Sequence, residues 1–284
     1  MTNKLTDLQK IEMVQKYNTE DCNCADLARH YNVTRRSIAT LLKRRGIKIK
    51  QIGNKKHTLN EHYFDKIDTE EKAYFLGLLY ADGCNSNGTM SIGLIESDKL
   101  LLDKFNIELN SNNKLYFLNL KCKSINWNNQ YVLKFYSKYL SNRLSELGCT
   151  SRKSLTLKFP TEEQVPFHLL KHFIRGMWDG DGHIGFGNYK GHIKCNGTQS
   201  INFVSRTTLT STLDFCKSVK NFIKEEVDIN CSLGLDSKNG ITTKLSIGGN
   251  KQVIRFLDWL YKDATIYLDR KYNKYQELIK LQTS

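Results

Sequence analysis

A chain of 284 residues with 39% hydrophobic content can build one large domain, or two ordinary ones and a small module. No apolar run approaches the ~18 residues of a membrane span, and the polar opening "MTNKLTDLQK" lacks the apolar core of a secretory signal. The net charge of +14 and a pI near 9.3 favour a polyanionic partner, most commonly nucleic acid.

The eight cysteines, at 22, 24, 84, 122, 149, 195, 216 and 231, are scattered and form no C-x-x-C pair. That spacing argues against zinc and for reduced thiols in an intracellular protein. The charge is concentrated. Residues 1–60 hold thirteen Lys/Arg against five Asp/Glu, and Arg35 to Lys56 holds nine basic residues and no acidic one.

In chain order, Thr6 with Gln9 three residues on forms a capping box for a first helix, with Leu8, Ile11, Met13, Val14 and Tyr17 on its packing side. Asn23 caps a second helix, "CADLARHY". Thr34 caps a third, "RRSIATLLKRR", which buries Ile38, Leu41 and Leu42 and ends at Gly46. Two short helices across a tight turn, the second opening on two arginines, resemble a helix-turn-helix. In that motif Arg35, Arg36, Ser37 and Thr40 face bases or phosphates, while Lys43, Arg44 and Arg45 lie near the backbone. We assign residues 1–47 to this all-α DNA-binding module and 48–68 to a basic linker.

Beyond it the chain repeats itself. "FLGLLYADG" (Phe75 to Gly83) and "IRGMWDGDG" (Ile174 to Gly182) each run an apolar helix into an Asp-Gly stop. Thr69 caps the first helix. Phe167 to Gly180 forms the second. Gly83 and Gly182 are expected as left-handed stops. Gly77 and Ala81, like Gly176 and Gly180, lie on one helix face, and such faces let two backbones come close. A glycine inside a helix costs about 1 kcal/mol against alanine, so close packing must offset it. Parallel packing would bring Asp82, Asp181 and two negative helix ends to one place. That pocket calls for cations, and hard oxygen donors suit Mg²⁺.

The two segments resemble, in register, the paired motifs of the LAGLIDADG homing endonucleases. The family's metal-binding acid falls on Asp82 and Asp181. The position whose backbone carbonyl ligates metal falls on Ala81 and Gly180. The sixth position, Tyr80 in one copy and Asp179 in the other, is not the essential acid. Downstream, "TMSIGLIES", "KLYFLNLK" and "NQYVLKFYS" read as strands in the first half, and "SINFVS", "CSLGLD" and "TKLSIG" in the second, with "LTSTLDFCKSVKNFIKE" as an intervening helix.

The resemblance implies an α+β fold of two pseudo-symmetric αββαββα halves, 69–160 and 161–284, forming a DNA-binding saddle in a monomer. It implies a site-specific enzyme that hydrolyses both strands of double-stranded DNA with a divalent metal and leaves 3′ overhangs. Lys121, Lys123, Lys134, Arg206 and Lys244 are expected on the DNA-facing sheets. The family keeps a basic residue after the last helix of each half, which falls on Lys153 in "GCTSRKSL" and Lys271 in "IYLDRKYNK", with Arg152 and Arg270 as neighbours. Glu96 and Arg206 take the places of water-ordering polar residues. His183 is expected as a structural or groove contact rather than a base, since its counterpart is Cys84. The alternatives are an RNA maturase acting on intron RNA and a non-catalytic DNA-binding regulator. An intein is not expected, because the chain opens on Met rather than a nucleophile, ends "LQTS" with no His-Asn close, and has no length for a splicing domain.

Overall fold

The computed structural model describes residues 5–19, 22–49, 58–86, 88–193, 198–236 and 241–283. Cys195 and residues 50–57 of the expected linker lie outside them. The chain divides into two compact units, Met1–His57 and Thr58–Ser284.

The first unit is a three-helix module of α1 (Asp7–Thr19), α2 (Cys24–His30) and α3 (Arg35–Arg44). Its caps are local chemistry. Thr6 and Gln9 exchange hydrogen bonds of 2.9 and 3.3 Å. Asn23 and Asp26 form a second capping box, and Thr34 Oγ1 accepts from Ser37 N at 3.1 Å. Gly46 takes φ +71°, the left-handed stop expected of it. Met13, Tyr17, Cys24, Leu27, Ala28, Ile38 and Leu42 make the core. Leu8 and Ile11, expected to pack, are instead 80% and 48% exposed. The buried stripe of α1 is Met13 and Tyr17, one turn apart, and Ile11 lies about 200° round the helix from Met13.

The second unit holds the repeat. Its first half contains α4 (Glu70–Asp82), β1 (Gly83–Ser86), β2 (Thr89–Ile95), α5 (Lys99–Glu108), β3 (Tyr116–Leu118), β4 (Gln130–Tyr136) and α6 (Lys138–Glu146). Its second half contains α7 (Leu170–Asp181), β5 (Gly182–Ile193), β6 (Gln199–Ser211), α8 (Leu213–Val227), β7 (Ser232–Leu235), β8 (Thr243–Gly248), α9 (Asn250–Tyr261) and α10 (Asp269–Thr283). Each half carries a four-stranded antiparallel sheet, in the orders β1-β2-β4-β3 and β5-β6-β8-β7. The same topology built twice is the expected α+β repeat. One continuous core runs through both halves.

Several local expectations change. Residues 58–68, assigned to the linker, bury Tyr63, Phe64 and Ile67 in that core, and Asn60 N donates to Leu109 O at 2.8 Å. Phe167–Leu169 forms a short 3₁₀ turn before α7. Gly83 and Gly182 are not left-handed, with φ,ψ of −76°, 143° and −77°, 158°. They pass straight from helix into strand. Glycine is required there because a Cβ would strike the carbonyl oxygens of Leu79 and Trp178. The expected helix from Leu209 starts late, because β6 runs on to Ser211 and Thr212 caps α8 through Phe215 N at 3.2 Å. The expected strand "KLYFLNLK" narrows to Tyr116–Leu118.

Candidate active site

Helices α4 and α7 pack in parallel along their small residues. A Cβ on Gly77 would overlap Phe173 O, and one on Gly176 would overlap Tyr74 O. A Cβ on Gly180 would overlap Ala81 Cβ and stand 2.8 Å from Asp82 Oδ2. Contacts therefore advance together along both helices, from Tyr74 with Gly176 to Asp82 with Gly180. Asp82 and Asp181 arrive at the same end.

Both carboxylates face solvent there, yet dense packing beneath them strips much of their hydration. Burial first, then the Asp181 charge, pushes the Asp82 carboxyl up to about 6, against the pull of Arg270, Lys153 and Lys271. Burial likewise raises Asp181, opposed by Lys153 and Lys271. The two helix C-termini add negative potential at the same point.

Each carboxylate has a buried lysine beside its helix end. Lys153, 8% exposed, donates to Gly83 O, and Lys271, 4% exposed, donates to Gly182 O and, at 3.2 Å, to Trp178 O. Gly83 and Gly182 are equivalent positions, so the two lysines occupy matching places in the two halves. Burial, with Arg270 next to it, pushes Lys271 down to about 8, although Asp179 and Asp82 work the other way. Arg152, beside Lys153, takes φ +55°, whereas Arg270 Nε donates to the buried Asp98 carboxylate at 2.8 Å.

The sheets offer their exposed faces next to this site. On β6, Arg206 pairs with Gly185 and Gly248. Lys244 pairs with Thr210, so both side chains share one face with His183. Lys134 pairs with Ser91 on the exposed face of the first sheet, opposite the buried Leu133 and Phe135. Lys121 and Lys123 do not lie on a strand. They sit in turns of the β3–β4 loop, because pairing stops at Leu118. Arg206 is in mid-strand and is not the counterpart of Glu96, which opens a 3₁₀ turn after β2. Burial and the charges of Lys274, Lys271 and Lys244 lower the pKa of His183. In the helical module, Arg35, Arg36, Ser37, Thr40, Lys43 and Arg44 are all exposed, though Ser37 Oγ lies 2.8 Å from Thr34 Oγ1 within the cap.

Two residues without an assigned sequence role hold the site from behind. Asp179 is fully buried and accepts from Tyr74 Oη at 2.8 Å, Tyr261 Oη at 2.5 Å and Leu268 N at 2.7 Å. Arg175, also fully buried, pairs with Glu70 at 2.5 Å and donates to Ile266 O at 2.9 Å. A charged residue inside an apolar motif was the available signal, since such a group is buried only when paired.

Among the described residues no cluster of three or more His, Cys, Asp or Glu forms a ready-made metal cage. What the helix ends bring together is two carboxylates, Asp82 and Asp181, with Ala81 and Gly180 packed beside them. Hard oxygen donors in an over-crowded anionic site fit Mg²⁺, which keeps much of its water and takes one or two carboxylates. The Asp82 carboxyl is raised first by burial and second by the neighbouring Asp181 charge.

No protein-family model and no curated protein matches the chain. Solved structures do. The I-LtrWI LAGLIDADG homing endonuclease bound to target DNA superposes with a TM-score of 0.50 at 12% identity, covering 79% of this chain and 92% of that one. A double mutant of I-SmaMI gives 0.50 at 11% identity, covering 73% and 89%. A single mutant of I-SmaMI gives 0.50 at 11%, covering 75% and 90%. At such identities the likeness shows the fold, and the chain has the LAGLIDADG homing endonuclease fold. Among the described residues, no helix is long and apolar enough to cross a membrane.

Proposed function

We propose that this chain is a site-specific DNA endonuclease that hydrolyses one phosphodiester in each strand of a duplex and leaves 3′ overhangs. The observation that carries the reading is the pair Asp82 and Asp181 on touching helix ends, each with its own buried lysine. Bound Mg²⁺, held by Asp82, Asp181 and the Ala81 and Gly180 carbonyls, would activate water and stabilise the leaving 3′ oxygen.

The chain's own residues do the rest. Gly77 and Gly176 fix the separation of the two acids. Lys153 and Lys271 place a cation beside each reacting centre, where charge builds up on the phosphate. Burial lowers the Lys271 pKa to about 8, so its ammonium gives up a proton more easily than an exposed lysine's. Lys134, Arg206 and Lys244 project from the sheet faces toward a groove, and Lys121 and Lys123 reach the backbone from a loop. Arg35, Arg36, Ser37, Thr40, Lys43 and Arg44 extend the contacted site as a helix-turn-helix.

Asp82→Asn and Asp181→Asn test the reading on duplexes recovered from a randomised library by binding. Each variant is expected to lose more than about 10²-fold in double-strand cleavage with Mg²⁺ while still shifting the duplex in a gel. Cleavage by the double variant at the wild-type rate would sink the mechanism.

A further inference from the structure

Lys271 stands at the start of α10, and the approach to it is held by charged side chains at three successive points. Arg175 donates to Ile266 O at 2.9 Å. One turn further along α7, Asp179 accepts from Leu268 N at 2.7 Å. Arg270 then donates to Asp98 Oδ2 at 2.8 Å, and Asp98 belongs to the other half, with a side chain only 3% exposed. Lys271 is the next residue.

This anchoring answers an electrostatic problem. Arg270 and Lys271 are adjacent cations in the first turn of α10, where the helix dipole disfavours positive charge and Asp269 supplies one acid against the two cations. Asp98 balances one of them, and Asp179 ties down the backbone immediately before them. The first half has no charged counterpart at the α7 positions. Leu76 and Tyr80 stand where Arg175 and Asp179 stand in the second half. Tyr80 Oη donates to Leu147 O and Asn85 Nδ2 to Cys149 O at 2.9 Å, so neutral groups hold the approach to Lys153.

We propose that Asp98, Arg175 and Asp179 are positioning residues for Lys271, so that one strand's hydrolysis depends on a charged brace spanning both halves and the other strand's does not. The proposal rests on the nuclease reading above. Asp98→Asn tests it, because the substitution keeps the shape and removes the charge. The first readout needs neither metal nor DNA. Amide hydrogen exchange across Leu268–Lys271 should quicken by about tenfold or more.

The second readout uses an end-labelled duplex with Mg²⁺. The strand slowed by Lys271→Met should also be slowed by Asp98→Asn, by about 10- to 100-fold, while the other strand changes less than about twofold and nicked DNA accumulates. Asp179→Asn should show the same bias, and Tyr80→Phe the opposite one. Equal slowing of both strands, or no slowing with a wild type that cuts, overturns the proposal. If the wild type cuts no duplex, the nuclease reading fails and takes the strand assignment with it. Unchanged exchange in Asp98→Asn overturns the brace itself.

Discussion

Gly77 and Gly176 set the distance on which everything at the site depends, and each can be tested alone. A methyl group at Gly176 meets Tyr74 backbone, which cannot rotate away. Gly176→Ala should therefore destabilise the protein by about 2 kcal/mol or more despite alanine's better helix propensity, as read by urea denaturation. A variant as stable as the wild type would mean the helices do not approach this closely. The acids make a pH prediction. Asp82 has its carboxyl raised from 3.8 to about 6 in the fold, so the folded chain holds its proton more tightly than the unfolded one. The stabilisation is complete below about pH 4 and is lost as pH rises through about 6. His172, whose pKa burial and the Arg175 charge lower to about 4, contributes the opposite slope over much of the same range, so the test is a difference between proteins. Metal-free wild type should lose thermal stability relative to Asp82→Asn as pH rises through that window, and Mg²⁺ should restore the wild type alone at pH 7. A difference that does not vary with pH would contradict the raised Asp82 carboxyl. At this scale the sequence pointed to Asp82, Asp181, Lys153 and Lys271 because the two motifs supply a register. Arg175 and Asp179 escaped it because what marks them is their partners, and Glu70, Tyr261 and Leu268 are distant in sequence.

Among the elements, those with local chemistry were the readable ones. Asn23, Thr34 and Thr69 cap where their side chains can reach a free amide, and the three helices they open follow. Elements defined by pairing were harder to read. Gly83–Ser86 buries alternate residues but its sequence, GCNS, has no apolar alternation, and β5 carries four glycines in twelve residues, so both strands exist because β2 and β6 lie beside them. Thr208–Ser211 has helix neighbours in sequence but strand partners in space. The helical module belongs to this scale too. It forms a unit of its own, so removing residues 1–57 should leave Thr58–Ser284 folded. The truncated protein should bind its duplex more weakly, and each lost phosphate contact should lower the salt-dependence slope by about 0.9. An unchanged affinity and slope would show that the exposed cations of α3 do not touch DNA.

The whole molecule carries both halves in one 32.9 kDa chain, with a single core running through them. Each half brings one acid and one lysine, so under the proposed nuclease reading one copy would suffice for two cuts. Sedimentation should give a monomer both free and bound, and single-turnover cleavage of both strands should not vary with protein concentration above saturation. A dimeric active species would move the composite site elsewhere. The repeat itself was visible from the motifs. The chain's division at His57 rather than Asp68 was not, because Tyr63, Phe64 and Ile67 show their burial only against partners much later in the chain.

The hydrogen bond from Tyr74 to Asp179 has a consequence for descent. If the repeat arose by duplicating a self-pairing ancestor, its two copies were once interchangeable. They no longer are. The counterpart of Tyr74 in the second copy is Phe173, so a second half paired with itself would offer Asp179 a ring with no hydroxyl. A buried carboxylate would lose a donor in each subunit. A gene split between the halves should therefore yield a working pair only when both fragments are supplied, and each fragment is committed to the other.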